Sequence, residues 1–265
     1  MYGGAGPTLF LVHGFPQDWF AFHDVVARLA ERYSVVALDL RGIGGSTGSV
    51  EHYNPTTLTR DLLELARHLG CDSLYIAGHD NGGMVAYTFA RTHPNMTRAA
   101  FILDAPLPGI EPWANIKADP ELWHFGFHQT PFLPELLVHG HQKEYFRSFF
   151  DRLTHHPAAV TDADVEHYAR AYGTSEQLRA GFEFYRQCYP AIEKSHGHEH
   201  ARSNVPLILV GGDRSMAPVN PQIADGLRRC GWQNISVETI ENSGHWIVDE
   251  QPHAVAAVIE RHAHP

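Results

Sequence analysis

Residues 74–91 contain a short apolar run, Leu74 to Ala77, then Gly78-His79-Asp80-Asn81-Gly82-Gly83, then a helix-compatible run from Met84 to Arg91. Two glycines flanking a reactive residue between a strand and a helix spell the sharp turn of a nucleophile elbow, G-x-Nu-x-G. The glycines at 78 and 82 are needed because that turn is crowded and its backbone strained. The rest of the chain suits such a turn. Short apolar runs alternate with helical patterns, as a mostly parallel α/β sheet requires. The expected strands are Leu9 to Val12, Val35 to Leu38, Leu74 to Ala77, Ala100 to Leu103, Pro206 to Val210 and Val237 to Ile240. Helices are expected at Phe22 to Ala30, Thr57 to Leu69 and Pro252 to His262.

Between Pro106 and about Asn204 the strand pattern stops. This stretch is aromatic-rich and reads as helical at Leu133 to His139, Glu144 to Leu153, Asp162 to Tyr172 and Ser175 to Tyr189. A helical insertion after a sheet strand sits over the strand ends, where open α/β sheets place their ligands. The expected division is therefore a core of residues 1–105 and 205–265 and a helical cap of residues 106–204 over Asp80.

The residue in the elbow is an aspartate, and that sets the chemistry. A carboxylate needs no base to become nucleophilic, and it displaces a leaving group at a saturated carbon. The product is an ester on the enzyme, which water must open. His245, in Asn242-Ser243-Gly244-His245-Trp246, follows a strand and precedes the last helix. That is where G-x-Nu-x-G hydrolases carry their histidine, and here it would deprotonate the attacking water. Two acids compete to orient it. The usual slot after Pro206 to Val210 falls on Ser215, with Asp213 earlier and beside Arg214. Asp104 ends the strand expected next to the nucleophile strand, which favours it. The oxyanion formed during ester hydrolysis needs two backbone amides. Those of Asn81 and of Phe15, in the turn His13-Gly14-Phe15-Pro16, are the candidates, and a cis Phe15–Pro16 bond would suit that turn.

Bulk properties remove other classes. A net charge of −10 with no basic stripe argues against nucleic-acid binding. No apolar stretch is long enough to span a bilayer, and the N-terminus shows no signal peptide. A cytoplasmic location is expected. Three widely spaced cysteines give neither a disulfide framework nor a zinc spacing. The cluster His196-Gly197-His198-Glu199-His200 lacks the H-E-x-x-H spacing and reads as an exposed polar loop. No metal and no cofactor are expected.

The motifs His13-Gly14-Phe15-Pro16, Asp39 to Gly44, Gly78 to Gly83 and Gly244-His245-Trp246 together resemble the α/β-hydrolase superfamily. Within it they resemble the epoxide hydrolase and dehalogenase branch, and most of all the Cif-type epoxide hydrolases. The resemblance implies an α/β-hydrolase fold with an inserted helical cap. It places the acid at Asp104, where that group carries glutamate. It nominates His124, in Trp123-His124-Phe125, and Tyr185, before Arg186, as donors to the epoxide oxygen. Trp123, Phe127, Phe184 and Trp246 would wall the substrate pocket. The partners implied are a small apolar epoxide, water and, at family level, a second copy in a homodimer. The usual first two strands have no counterpart before Leu9, so a sheet edge is expected to be open, or covered by a partner or another element.

Three functions stay in play. An epoxide hydrolase would use His124 and Tyr185 on the ring oxygen. A haloalkane or haloacid dehalogenase would use the same ester chemistry with N–H donors on a halide, and Trp123 is a candidate donor. The fluoroacetate type needs arginines beside the nucleophile, where this chain has Asn81, Gly83 and Met84. A non-catalytic binding protein on the same fold is the third.

Overall fold

The expected strands all form, most of them a residue or two longer than read, in a computed structural model that describes residues 2–195 and 202–264. They are β2 (Thr8–Val12), β3 (Ser34–Leu38), β4 (Leu74–His79), β5 (Thr97–Leu103), β6 (Leu207–Gly212) and β7 (Ile235–Ile240), joined by an unexpected β1 (Tyr2–Gly3). One sheet joins them in the order β1-β3-β2-β4-β5-β6-β7. From β2 to β7 every pairing is parallel. Of the alternatives for the sheet edge, the structure takes the one in which another element covers it. Tyr2 and Gly3 form a two-residue strand antiparallel to β3, opposite Val36 and Val35.

β2 and β4 lie in the interior of the sheet, and nearly every residue in them is buried. That is why they read as unbroken apolar runs and not as alternation. Alternation survives in where side chains go. Leu9 and Leu11 pack with Val25, Leu29, Val255 and Ile259, from helices His23–Leu29 and Pro252–His262. Phe10 and Val12 face the other side, with Leu58, Leu62, Val85 and Phe89 from helices Pro55–His68 and Asn81–Thr92. Two layers of helix thus cover the two faces, as the 2.0-residue period of a strand dictates.

Between β5 and β6 the chain is helical, including His124–Gln129, Leu133–Val138, Gln142–Leu153, Asp162–Ala171 and Ser175–Glu183. The run expected as one helix from Ser175 to Tyr189 is broken by a π-helical turn at Phe184–Cys188 before helix Tyr189–Ser195. Helix Asn220–Arg229 was not expected. Its signal was short, with Ile223, Ala224 and Leu227 making the buried face behind a proline at its start. The histidine cluster at 196–200 lies outside the described residues. Among the described residues no helix is long and apolar enough to cross a membrane.

Candidate active site

β4 ends at His79 and helix Asn81–Thr92 begins two residues later, leaving Asp80 alone in the turn at φ 51°, ψ −123°. A Cβ on Gly78 would overlap the Gly82 carbonyl oxygen, and one on Gly82 would overlap that of Val12. The sharp turn therefore depends on both glycines. It holds the Asp80 side chain above the sheet, 13% exposed.

The two carboxylate oxygens of Asp80 have different surroundings. Oδ1 accepts the Phe15 N–H at 3.0 Å, beside a cis Phe15–Pro16 bond. The Asn81 backbone N–H also favours the ionised form. Oδ2 faces His245 Nε2 at 3.7 Å, beyond hydrogen-bond length. Burial raises the Asp80 pKa, opposed by His245 and by the two amides.

His245 is held from several sides. Its Nδ1 lies 2.8 Å from Asp104 Oδ1, its N–H donates to the Leu153 carbonyl at 2.9 Å, and its carbonyl accepts from His79 Nε2 at 2.8 Å. Burial works against the imidazolium. The bond to Asp104 and the charges of Asp104 and Asp80 outweigh it, so the His245 pKa is raised above 6.5. His79 beneath it is pushed down to about 3, mainly by burial.

Asp104 is fully buried at the end of β5. Besides His245 it accepts from Gly212 N at 2.7 Å, Ser215 Oγ at 2.6 Å and Met216 N at 3.4 Å. Ser215, in the slot where an acid was sought, is thus a donor to the acid that touches the histidine. Asp213 is engaged elsewhere, accepting the Ser243 N–H at 2.9 Å with Arg214 3.6 Å away.

Above the elbow the helices between β5 and β6 present polar groups among aromatic rings. His124 is 6% exposed with Nδ1 unpartnered. Burial, then Arg152 and His245, lower its pKa to about 3, so it is a neutral imidazole. Tyr185 is buried near Asn81, Tyr189 and Asp80, and burial foremost keeps its phenol protonated. Sequence reading missed three neighbours. Tyr189 Oη donates to Asn81 Oδ1 at 3.1 Å. His128 Nε2 lies 2.6 Å from Tyr145 Oη, and its ring centroid lies 4.5 Å from that of Tyr185. A signal existed for two of them, because His128 and Tyr189 each follow a nominated donor by four residues, one helical turn on.

The nominated pocket aromatics have unequal positions. Phe184 is buried and borders a cavity of about 10 Å³ that also touches Phe15 and Asn81. Phe127 packs on Trp123, itself 47% exposed. Trp246 is buried beside His245, its ring 4.6 Å from that of His245 and 4.4 Å from that of Phe150.

A half-buried acid ties the Phe15 turn to the helices. Asp249 accepts from Gln17 Nε2 at 2.9 Å and from Tyr168 Oη at 3.3 Å. Burial raises its pKa to about 7 from 3.8. A raised folded-state pKa adds stability that is fully present below about pH 4 and is lost as pH rises through about 7. Asp249→Asn cannot ionise, so its melting temperature relative to wild type should be more favourable at pH 8 than at pH 5. Thermal melts at the two pH values check this, and an equal difference at both would show that Asp249 does not titrate in that window.

Known proteins place this arrangement. Residues 9–258 match the alpha/beta hydrolase family. A soluble epoxide hydrolase of Corynebacterium sp. (strain C12) is 29% identical over 267 residues, covering 95% of this chain and 88% of that one. The crystal structure of Cfl2 from Burkholderia cenocepacia superposes with a TM-score of 0.89 at 33% identity, covering 98% of this chain and 90% of that one. A fluoroacetate dehalogenase of Burkholderia sp. is 36% identical over 136 residues, 49% of this chain and 44% of its own. The chain belongs to the alpha/beta hydrolase family and sits, as a hydrolase, in its epoxide hydrolase branch.

Proposed function

We propose that the protein opens an epoxide to a vicinal diol through an ester on Asp80. The observation that carries this is the division of labour at that carboxylate. Oδ1 accepts the Phe15 amide, while Oδ2 is turned toward His245 with a 3.7 Å gap. Oδ2 attacks a ring carbon, the carbon–oxygen bond breaks, and the new alkoxide is met by donors from above. His124 and Tyr185 are those donors, neutral N–H and O–H groups in an aromatic, water-poor wall. Oδ1 becomes the ester carbonyl oxygen and stays where the Phe15 and Asn81 amides stabilise its negative charge when water attacks. His245 takes the proton of that water, and Asp104 orients the ring and balances its charge. In this reading residues 106–204 are the cap and the remainder is the core.

The dehalogenase reading has one specific support, the likeness to a fluoroacetate dehalogenase over about half the chain. Against it, no arginine stands next to Asp80 in the elbow. Styrene oxide and epichlorohydrin, with haloacetates alongside, separate the two when diol and halide are assayed independently. Diol from the epoxides without halide from haloacetate is expected. Halide from haloacetate with no diol from any epoxide would refute the proposal.

The acid is tested by a pair of variants. Asp104→Asn should lower kcat by roughly 10²–10⁴-fold, because the amide neither stabilises imidazolium nor enforces the tautomer. Asp213→Asn should change it less than about threefold, in keeping with its place at a loop turn. Steady-state rates on one epoxide decide, and the opposite ranking would transfer the role to Asp213.

A further inference from the structure

We infer that the substrate carries a carboxylate a few atoms from its reacting carbon, and that Arg152 binds it. The inference rests on the reading of Asp80 given above. Arg152 lies on helix Gln142–Leu153, partly buried, with Nε buried and without a hydrogen-bond partner. Among the described residues its guanidinium has no ion pair. The neighbouring acids are engaged elsewhere: Asp151, next to it in the chain, stands 3.6 Å from Arg147, and Glu250 accepts the Gly244, His155 and His156 N–H groups at 2.9, 2.8 and 2.9 Å. What Arg152 does meet is aromatic. Its guanidinium carbon is 5.5 Å from the Phe149 ring centroid and 6.0 Å from that of Trp123. Those faces orient the fork but offer no anion to fill it.

Its position ties it to the reacting groups. The next residue, Leu153, accepts the His245 N–H at 2.9 Å through its carbonyl. Arg152, His155, Arg214, Ser215 and His245 line one cleft of about 430 Å³, and no carboxylate contributes to its wall. Arg214 adds a second cation, 64% exposed and 3.6 Å from Asp213. Two cations thus share this cleft, while the carboxylates that act on His245, Asp104, Asp80 and Glu250, lie outside its wall. A half-buried charge without a partner is unfavourable until a ligand completes it. A planar guanidinium fork matches a carboxylate with two parallel hydrogen bonds. The aromatic wall takes the apolar body of such a substrate, and the Arg152 cleft takes its anionic end.

A matched pair of epoxides tests this. trans-3-Phenylglycidate and trans-1-phenyl-1,2-epoxypropane share the phenyl group and the ring, and differ in carboxylate against methyl. Wild type should prefer the glycidate in kcat/KM by about 10-fold or more, with a preference that shrinks as salt rises. Arg152→Gln should lower kcat/KM for the glycidate by roughly 10–100-fold, mostly through KM, and leave the methyl analogue within about threefold. Arg152→Lys should recover part of the loss. Binding of the diol acid, 2,3-dihydroxy-3-phenylpropanoate, measured by calorimetry against 1-phenylpropane-1,2-diol, gives a readout without turnover. If neither epoxide reacts, yet the diol acid binds and Arg152→Gln abolishes that binding, the anion seat stands and the epoxide reading falls. Turnover of both epoxides with no preference, or equal loss on both in Arg152→Gln, would overturn the inference and leave Arg152 as packing for Trp123 and Phe149.

Discussion

Asp80→Asn is expected to lower kcat/KM by roughly 10⁴-fold or more, ~5 kcal/mol of transition-state stabilisation. The substitution preserves shape and leaves an amide oxygen to accept the Phe15 N–H, now 3.0 Å from Oδ1. What it removes is the anionic oxygen facing His245. Melting temperature should change little, so the loss of activity is chemical. Intact-protein mass must confirm that the new amide has not hydrolysed back to aspartate. The wild-type counterpart uses ¹⁸O-water. In a single turnover the water oxygen should appear in the Asp80 carboxylate, because water attacks the ester carbonyl and the diol leaves with an old Asp80 oxygen. Label in the first diol, with none in the peptide containing Asp80, would mean that water attacks the ring directly.

His245→Gln should be comparably damaging in steady state but different in kind. In the proposed mechanism ring opening needs no base, since the Asp80 carboxylate is itself the nucleophile. The ester should form and then persist, because nothing removes the proton of the attacking water. Mass spectrometry should show an adduct equal to the whole epoxide, since opening a ring releases no fragment. A dehalogenase ester would instead lack the elements of hydrogen halide, so the same spectrum distinguishes the two chemistries. In wild type, ester hydrolysis should accelerate as pH rises through the pKa of His245 in the ester, where Asp104 still raises it and the esterified Asp80 no longer carries charge. The base must be neutral to accept a proton, which fixes that sign. An adduct that clears at wild-type rate in His245→Gln would remove His245 from the second step.

Much of this site could be read from the chain because the relevant signals are local. The elbow is three glycine-flanked residues with a strand before and a helix after, and crowding by the Gly82 and Val12 carbonyls explains why glycine is required. His245 was legible for the same reason, lying in a short turn between β7 and the last helices. Asp104 and Asp213 could only be ranked. Each lies just after a strand, β5 for one and β6 for the other, and spacing says nothing about which carboxylate reaches an imidazole 141 or 32 residues away. Register decides it. β5 and β6 run parallel with Leu103 opposite Val210, which brings Gly212 N onto Asp104 Oδ2 and Ser215 Oγ onto Oδ1, the oxygen that also meets His245.

The helices over the elbow were legible as helices but not as a surface. Heptad-like spacing locates Gln142–Leu153 and Asp162–Ala171 without saying what each faces. A π-helical turn at Phe184–Cys188 lies between the expected helix and Tyr189, and periodicity at 3.6 residues carries no sign of it. The neutral state of His124 depends on burial and on Arg152, which is 28 residues away in sequence.

By itself the sequence determined a parallel α/β sheet, an aspartate at its elbow and a histidine in the turn before the last helices, because each is written in residues adjacent along the chain. Tertiary structure alone decided which acid touches His245, which side chains stand over Asp80, and that an unpaired arginine shares a cleft with the base. Those are relations between groups far apart in sequence, and only packing and strand register bring them within hydrogen-bonding or Coulombic reach.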